Sequence, residues 1–354
     1  DSNYSMNTVD LCPVGALTSK DFRFKMRVWF LKETKTIDVD CGTGTNITLW
    51  TREDKVYRIT PRQNDAVNSC WMPDSHRLNY KYINAETRIP QPVIRTDAEA
   101  PHRPSTWEPA LASAAEAVKR IAPNQLAIIA SGRMTNEELY MVRHLAAQIG
   151  TDMVDIVPRM GESDGMLISA DRNPNTNGAR LVLDIEPGSK LDAIREGVRS
   201  GSIKGILSLG EDLISPEAGF TTEDLDKLDY LFMTAHSANE TARHADLVLP
   251  GVTYAEKFGT MINVTGRIQR LNRAIQPIGY ARDDWQIFRD ITLLLGGNPA
   301  LKDFNSALDI LTAMSTEYGA LNGVSWGSIG DGGQPILETG VTIPVVEREK
   351  NQGR

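Results

Sequence analysis

The sequence predicts an α/β protein: a small β-rich unit followed by a doubly wound, mostly parallel α/β domain. Three observations carry that expectation. From residue 106 onward helix and strand patterns alternate, and the strand patterns are short continuous apolar runs such as Leu126-Ala-Ile-Ile-Ala130, which suit strands covered on both faces. Upstream, Ile47-Thr-Leu-Trp-Thr51 and Lys55-Val-Tyr-Arg-Ile-Thr60 alternate with period two around Arg52-Glu53-Asp54, a hairpin signal. Between the two regions Pro90, Pro92, Pro101 and Pro104 punctuate residues 88–105, where no periodicity holds, so this stretch reads as a linker.

Composition narrows the function classes. A chain of 354 residues has room for about two or three domains, and 41% hydrophobic with 24% charged residues is ordinary for a globular protein. A net charge of −8 argues against nucleic-acid binding, which needs a basic face. No apolar run is long enough to span a bilayer, and no charged-then-apolar leader is visible. Three cysteines without close pairing make no disulfide framework and fit a reducing compartment.

Residues 1–34 are expected to hold a cysteine-bearing segment and a strap, in which Phe22, Phe24, Val28, Trp29 and Phe30 interleave with Arg23, Lys25 and Arg27; a strand or extended strap with one buried face is the expectation. Residues 35–87 form the β-rich unit and 88–105 the linker. In 106–298, Ser105-x-x-Glu108 and Thr135-x-x-Glu138 read as capping boxes opening helices, the second helix stopped by Gly150. Met153–Val157 reads as a strand, a helix follows Ser189 and ends at Gly201, and strands are expected at Ile206–Leu209 and Tyr230–Ala235. Asp283-Asp284 reads as an N-cap for a helix buried by Trp285, Phe288, Ile291 and Leu295. Residues 299–354 begin with a helix on Phe304, Leu308, Leu311 and Met314, become Gly-rich from Gly323 to Gly333 and fray from Glu347.

The chemistry centres on Thr8-Val-Asp-Leu-Cys12-Pro13-Val14-Gly15-Ala16-Leu17-Thr18. A Cys followed at once by Pro is how the last ligand of a ferredoxin-type iron–sulfur run reads, and Pro turns the chain away from the metal. Alternatively, Cys12 is an ordinary buried thiol. The longer string, nearly complete over Val9–Lys20, resembles the large peripheral subunit of respiratory NADH:quinone oxidoreductase (complex I), known as the 75 kDa subunit in mitochondria. That resemblance implies that Cys12 is a [4Fe–4S] thiolate ligand, with three cysteines upstream of this sequence. The lone Cys12 and a first residue other than Met accord with an N-terminal portion beyond it.

Residues 35–85 resemble the small Fe–S domain of the molybdopterin oxidoreductase superfamily, whose C-x2-C-x3-C…C frame falls here on Asp38, Cys41, Thr45 and Pro73. One thiolate of four remains, so a fold that has lost its cluster is expected, with Cys41 a possible residual metal ligand and Cys70 a structural or free thiol. Ser131–Tyr140, with its Thr135-Asn136-Glu137-Glu138, and His244–Arg270 resemble segments of the same superfamily. The implied architecture is a small Fe–S-type domain followed by an α/β domain of molybdopterin-oxidoreductase type.

Other chemistry is weak. Gly42–Gly44 and Gly330–Gly332 follow no strand-to-helix pattern, so no NAD or FMN site is expected on this chain. His76, His102, His144, His236 and His244 show no metal-ligand spacing, and Glu256-Lys257 reads as a surface or turn pair. No molybdenum ligand stands out and no molybdopterin is expected. The resemblance implies an electron-transfer and scaffold subunit, an oxidoreductase component without a complete active site of its own. Its implied cofactor is one [4Fe–4S] cluster in the complete protein. Its implied partners are the NADH-oxidising flavoprotein subunit and the Fe–S subunits leading to quinone, at the cytoplasmic face of the bacterial inner membrane. Two alternatives stay open: a component of an NAD-linked hydrogenase or formate dehydrogenase, and a molybdopterin-dependent oxidoreductase.

Overall fold

The computed structural model describes residues 2–95 and 100–352. The chain opens with α1 (Asn7–Leu11) and then the antiparallel meander β1 (Lys32–Ile37), β2 (Asn46–Arg52) and β3 (Lys55–Pro61), closed by the short helix α2 (Asp74–Arg77). The expected hairpin forms, with Arg52 opposite Lys55. Its two-residue loop puts Glu53 and Asp54 at φ 50° and 55°, the sign a type I′ turn requires at both positions. Val39, Ile47, Leu49, Val56, Ile59 and Met72 form its core, completed by Tyr254, Met261, Leu271 and Ile275 from far along the chain. The strap is not a strand: residues 18–30 are turns with one 3-10 turn at Val28–Phe30. Its alternating aromatic and basic residues instead serve stacking, with the Arg58 guanidinium 4.7 Å from the Phe22 ring and 4.3 Å from Trp50, and Arg52 5.1 Å from Phe30.

Residues 88–105 carry more structure than their prolines suggest: β4 (Val93–Ile94) and β5 (Arg103–Pro104) extend the large sheet at its edge, where a missing proline N–H is tolerated. Next come α3 (Trp107–Arg120), β6 (Leu126–Ala130), α4 (Asn136–Ile149), β7 (Val154–Ile156), α5 (Thr176–Leu183), α6 (Leu191–Ser200), β8 (Gly205–Leu209), α7 (Thr222–Leu225), β9 (Tyr230–Ala235), α8 (Glu240–His244) and β10 (Leu247–Pro250). The sheet runs β5-β4-β10-β9-β8-β6-β7, parallel from β10 to β7 and antiparallel at β4 and β5. Counted along the chain, the five parallel strands lie in the order 2-1-3-4-5, a doubly wound arrangement. The continuous apolar runs are explained by the pleat. Leu126, Ile128, Leu207, Phe232 and Leu247 face one core with α3 and α4, while Ala127, Ile129, Ile206, Leu231 and Val248 face the other with α6.

The hairpin β11 (Gly259–Ile262) and β12 (Arg267–Leu271) follows, then α9 (Asp284–Leu294), α10 (Ala307–Glu317), α11 (Trp326–Ile329), β13 (Gln334–Pro335), which pairs with β12, and α12 (Pro344–Gln352). Thr135 caps α4 through the full capping box, and Gly150 ends it at φ 79°. The box expected at Ser105 does not form: α3 starts after Thr106, and Ser105 Oγ donates instead to the Thr106 carbonyl. Asp283 occupies the N-cap position of α9 without bonding a backbone N–H; it pairs with Arg273 at 3.0 Å. Residues 344–352 are helical rather than frayed, because Val345 and Val346 pack on Val67 and Leu167.

Candidate functional site

Cys12 caps the C-terminus of α1, and Pro13 prevents the helix from continuing. The chain then loops back around the sulfur through Gly15 at φ 65°. Backbone N–H groups of Leu17, Ala16, Val14 and Gly15 hydrogen-bond the sulfur, and Leu17 and Ala16 do most to pull the thiol below its ordinary value. A ring of amides aimed at one sulfur stabilises a thiolate, the form in which Cys binds metal. Asn7 holds α1 in place through two bonds to Met72, Nδ2 to its carbonyl at 2.8 Å and Oδ1 from its N–H at 3.0 Å. Arg77 pairs with Asp10 at 2.5 Å. The Cys12 loop opens onto a cleft walled by the strap, Arg58, Arg77 and Tyr80. Neither other cysteine lines it: Cys41 is buried elsewhere and Cys70 is exposed.

A second constellation lies where β1 passes into β2. Asp38, Cys41 and His76 bring their ligand atoms within 4.8 Å of one another, all three buried. His76 Nδ1 stands 2.6 Å from Asp38 Oδ2. Burial alone would lower the His76 value, but the adjacent Asp38 carboxylate outweighs it and the net shift is upward. Burial pushes the Cys41 thiol up to about 11. Asp40 rises to about 7, from burial and then from the charge of Asp38. Of the frame positions, Asp38 and Cys41 meet here, while Pro73 only precedes α2 and brings no donor. His76 shows no ligand spacing and is the residue that sequence reasoning misses; α2 carries it across 38 positions of chain, and no local pattern announces that.

The loop bearing Cys41 is clamped by the β11–β12 hairpin. Val264 N donates to Gly42 O at 2.7 Å, Asn263 Nδ2 to Thr43 O at 3.0 Å, and Gln269 Nε2 to Gly44 O at 2.9 Å. The hairpin is in turn locked to α4. Glu137 accepts from Thr260 N and Oγ1, both at 2.8 Å, and Asn136 Nδ2 donates to Thr260 Oγ1 at 2.9 Å. Glu256 and Lys257 are not a surface pair. Both are buried, Glu256 on Arg88 at 2.6 Å and Lys257 on both Glu138 oxygens at 2.8 Å. The Thr-Asn-Glu-Glu string is therefore an interlocking device.

The crevice beyond the carboxyl ends of β6 and β8, where doubly wound sheets hold ligands, is built from Ser131, Gly132, Gly210 and Glu211. Asn173 packs so closely on Gly132 that a Cβ there would overlap it. Glu211 is engaged by Arg159 through two bonds at 2.8 and 2.5 Å. The remaining histidines do not assemble a metal site among the described residues. His144 stacks edge-on against Tyr140, 4.6 Å between centroids, at the border of the α4 stripe. His236 faces Ser237 in the core while His244 faces Asp226 at the surface.

Residues 31–81 match the family model described as NADH-ubiquinone oxidoreductase NDSU1/NuoG-like, 4Fe-4S domain, and residues 158–292 match that of molybdopterin oxidoreductase. The NuoG-type component of the NADH-quinone oxidoreductase of Rickettsia bellii is 34% identical, over 90% of this chain and 62% of its own length. The mitochondrial NADH-ubiquinone oxidoreductase 78 kDa subunit of Candida albicans is 27% identical, over 86% of this chain and 58% of its own. This chain belongs to the NuoG family of NADH-quinone oxidoreductase components. It spans less than two thirds of the length of these two relatives. The fold is shared with acetylene hydratase from Pelobacter acetylenicus, at a TM-score of 0.61 and 10% identity over 83% of this chain and 73% of the other. Within the NuoG family frame, the segment matched as a 4Fe-4S domain holds Asp38, Cys41, Thr45, Pro73 and His76, so its cluster positions are largely without thiolates here. Those residues do not fit a cluster that takes four cysteines.

Proposed function

We propose that the chain is an electron-transfer and scaffold component of respiratory NADH:quinone oxidoreductase, in which Cys12 is one thiolate ligand of a [4Fe–4S] relay centre. The observation that carries this reading is the loop of amides from Val14 to Leu17 directed at the Cys12 sulfur. The other three thiolates come from outside these 354 residues, since neither Cys41 nor Cys70 lines the Cys12 cleft. The cluster, when bound, supplies the one-electron chemistry. The chain's own residues fix one ligand, shield it under the strap and set the local field. Amide donors to the sulfur, with Arg58 and Arg77 nearby, stabilise the added negative charge of the reduced state and raise the reduction potential. The α/β part supports the assembly; its switch-point crevice is taken up by Asn173 and the Arg159–Glu211 pair, which supports a scaffold over a pterin site. The partners in this reading are the flavoprotein that oxidises NADH and the Fe–S subunits toward quinone. Docking is through those partners, at the cytoplasmic face of the inner membrane. Among the described residues, no helix is long and apolar enough to cross a bilayer.

The test is Cys12→Ser in the full-length protein assembled with its partners. Low-temperature electron paramagnetic resonance after NADH reduction should lose one [4Fe–4S] signal, and NADH-driven quinone reduction should fall at least about tenfold. A variant with every cluster signal intact refutes the assignment of Cys12. Stoichiometric molybdenum in the purified complex refutes the scaffold role of the α/β part.

A further inference from the structure

Among the described residues, one place gathers three metal-ligating side chains of different chemistry: Asp38, Cys41 and His76. We propose that this constellation binds a single zinc-class divalent cation through a carboxylate oxygen of Asp38, the sulfur of Cys41 and one ring nitrogen of His76, with water in the fourth position. The residues are 3%, 0% and 7% exposed, so the side chains are held in place by packing, and their donor atoms already lie within 4.8 Å. A tetrahedral zinc ion holds its ligands at roughly 2.0–2.3 Å, which sets donors about 3.5 Å apart and requires an inward movement of only about 1 Å.

The donor set chooses the ion. One thiolate, one imidazole and one carboxylate suit a borderline-soft cation; magnesium and calcium call for oxygen ligands throughout. An iron–sulfur cubane needs four thiolates and finds one. A second observation points to the same spot. Asp38 N donates to Thr45 O at 2.8 Å, making the two residues direct cross-strand partners whose side chains share a face. Thr45 is 1% exposed, and its Oγ1 has no hydrogen-bond partner. A metal-bound water on that face would satisfy it. Binding forms three metal–ligand bonds and involves no electron transfer. The Cys41 thiol proton leaves to solvent, and the cation takes the place of the proton between His76 and Asp38. The ion would tie the β1–β2 corner to α2, the cross-link that a cluster at this frame would otherwise provide.

Cobalt(II) is the probe. The full chain, reduced and metal-free, is titrated with Co²⁺ and followed by absorption. One equivalent should produce a sulfur-to-cobalt charge-transfer band and tetrahedral d–d bands, both bleached by Zn²⁺, with a concentration-dependent rise in melting temperature under Zn²⁺. Cys41→Ser should abolish the charge-transfer band, and His76→Gln and Asp38→Asn should each weaken Co²⁺ binding by about tenfold or more. Cys12→Ser and Cys70→Ser should leave the bands unchanged. Should Cys41→Ser fail to fold, the other two site variants decide, since their thiol is intact. Absence of the bands at excess Co²⁺, a band that survives Cys41→Ser, loss of the band in Cys12→Ser or Cys70→Ser, or wild-type affinity in His76→Gln and Asp38→Asn overturns the proposal.

Discussion

Replacing Lys257 by Met should be among the most damaging single changes in the α/β part, although Met matches the length of the Lys stem. Lys257 Nζ lies 2.8 Å from both oxygens of Glu138, with the two side chains 8% and 1% exposed. Burial by itself would make the ammonium easier to lose, but Glu138 outweighs that, helped by Asp284 and Asp283, and its value is raised. Lys257 is thus the counter-charge for several acidic groups. Its removal leaves Glu138 as a buried carboxylate whose remaining partner is the Thr135 N–H at 2.8 Å. Breaking such a pair from one side costs about 3–5 kcal/mol. The double variant Lys257→Met/Glu138→Gln removes both charges and keeps an acceptor for Thr135, so it should be less destabilised than Lys257→Met alone. Urea denaturation monitored by circular dichroism, at a single protein concentration, reads the difference. A loss under about 1 kcal/mol for the single variant, or a double variant as unstable as the single, would refute the reasoning.

Glu53→Asn should stabilise by roughly 0.5–1 kcal/mol, because Glu53 sits at φ 50° in a type I′ turn and gives up only an exposed contact with Arg52; a shift of the urea midpoint to higher concentration checks it. Gly266→Ala should destabilise by at least about 2 kcal/mol, since φ is 78° and the new Cβ would overlap the Leu337 carbonyl, and a lowered melting temperature reports it. Asp284, buried against Gly251, has its value pushed up to about 7 by burial and then by Glu138. The folded state therefore binds its proton more tightly than the unfolded chain, and the group's contribution to stability declines as pH rises from about 4 through 7. Asp284→Asn should remove that decline, so the variant should gain on wild type by on the order of 1–3 kcal/mol between pH 5 and pH 8; parallel stability curves would contradict this.

Much of the fold is legible because its signals are local. The apolar runs at Leu126–Ala130 and Tyr230–Ala235 and the Thr135 capping box each depend on neighbours within one strand or one turn. The failures are tertiary. Ser105 and Thr106 are both competent caps, and which one starts α3 is set by how Trp107 docks, its Nε1 donating to Tyr280 O at 2.8 Å. Glu256 and Lys257 look like turn residues until the partners that neutralise them, Arg88 and Glu138, are brought in from 168 and 119 positions away. His76 is invisible for the same reason. The strap misleads differently: alternating aromatic and basic residues match a strand's period, yet here the period serves guanidinium–ring stacking on β2 and β3.

Cys12 and Cys41 show why residue type alone could not assign the site. Both sit next to a sharp turn, and both fall on positions where the family resemblance places a cluster ligand. Around Cys12 the backbone turns its N–H groups toward the sulfur and the surroundings favour negative charge. Around Cys41 the sulfur is fully buried near the Leu167 carbonyl, 3.8 Å away, which disfavours it. A thiolate at Cys41 thus needs a cation beside it, and among the described residues the metal-ligating groups brought near are Asp38 and His76. A thiolate at Cys12 is supported by the chain itself and waits only for other ligands. The two sites therefore differ in what completes them: for Cys12, three more thiolates around a cluster that passes electrons; for Cys41, one ion that holds α2 against the β1–β2 corner while the hairpin at Asn263–Gln269 closes over it.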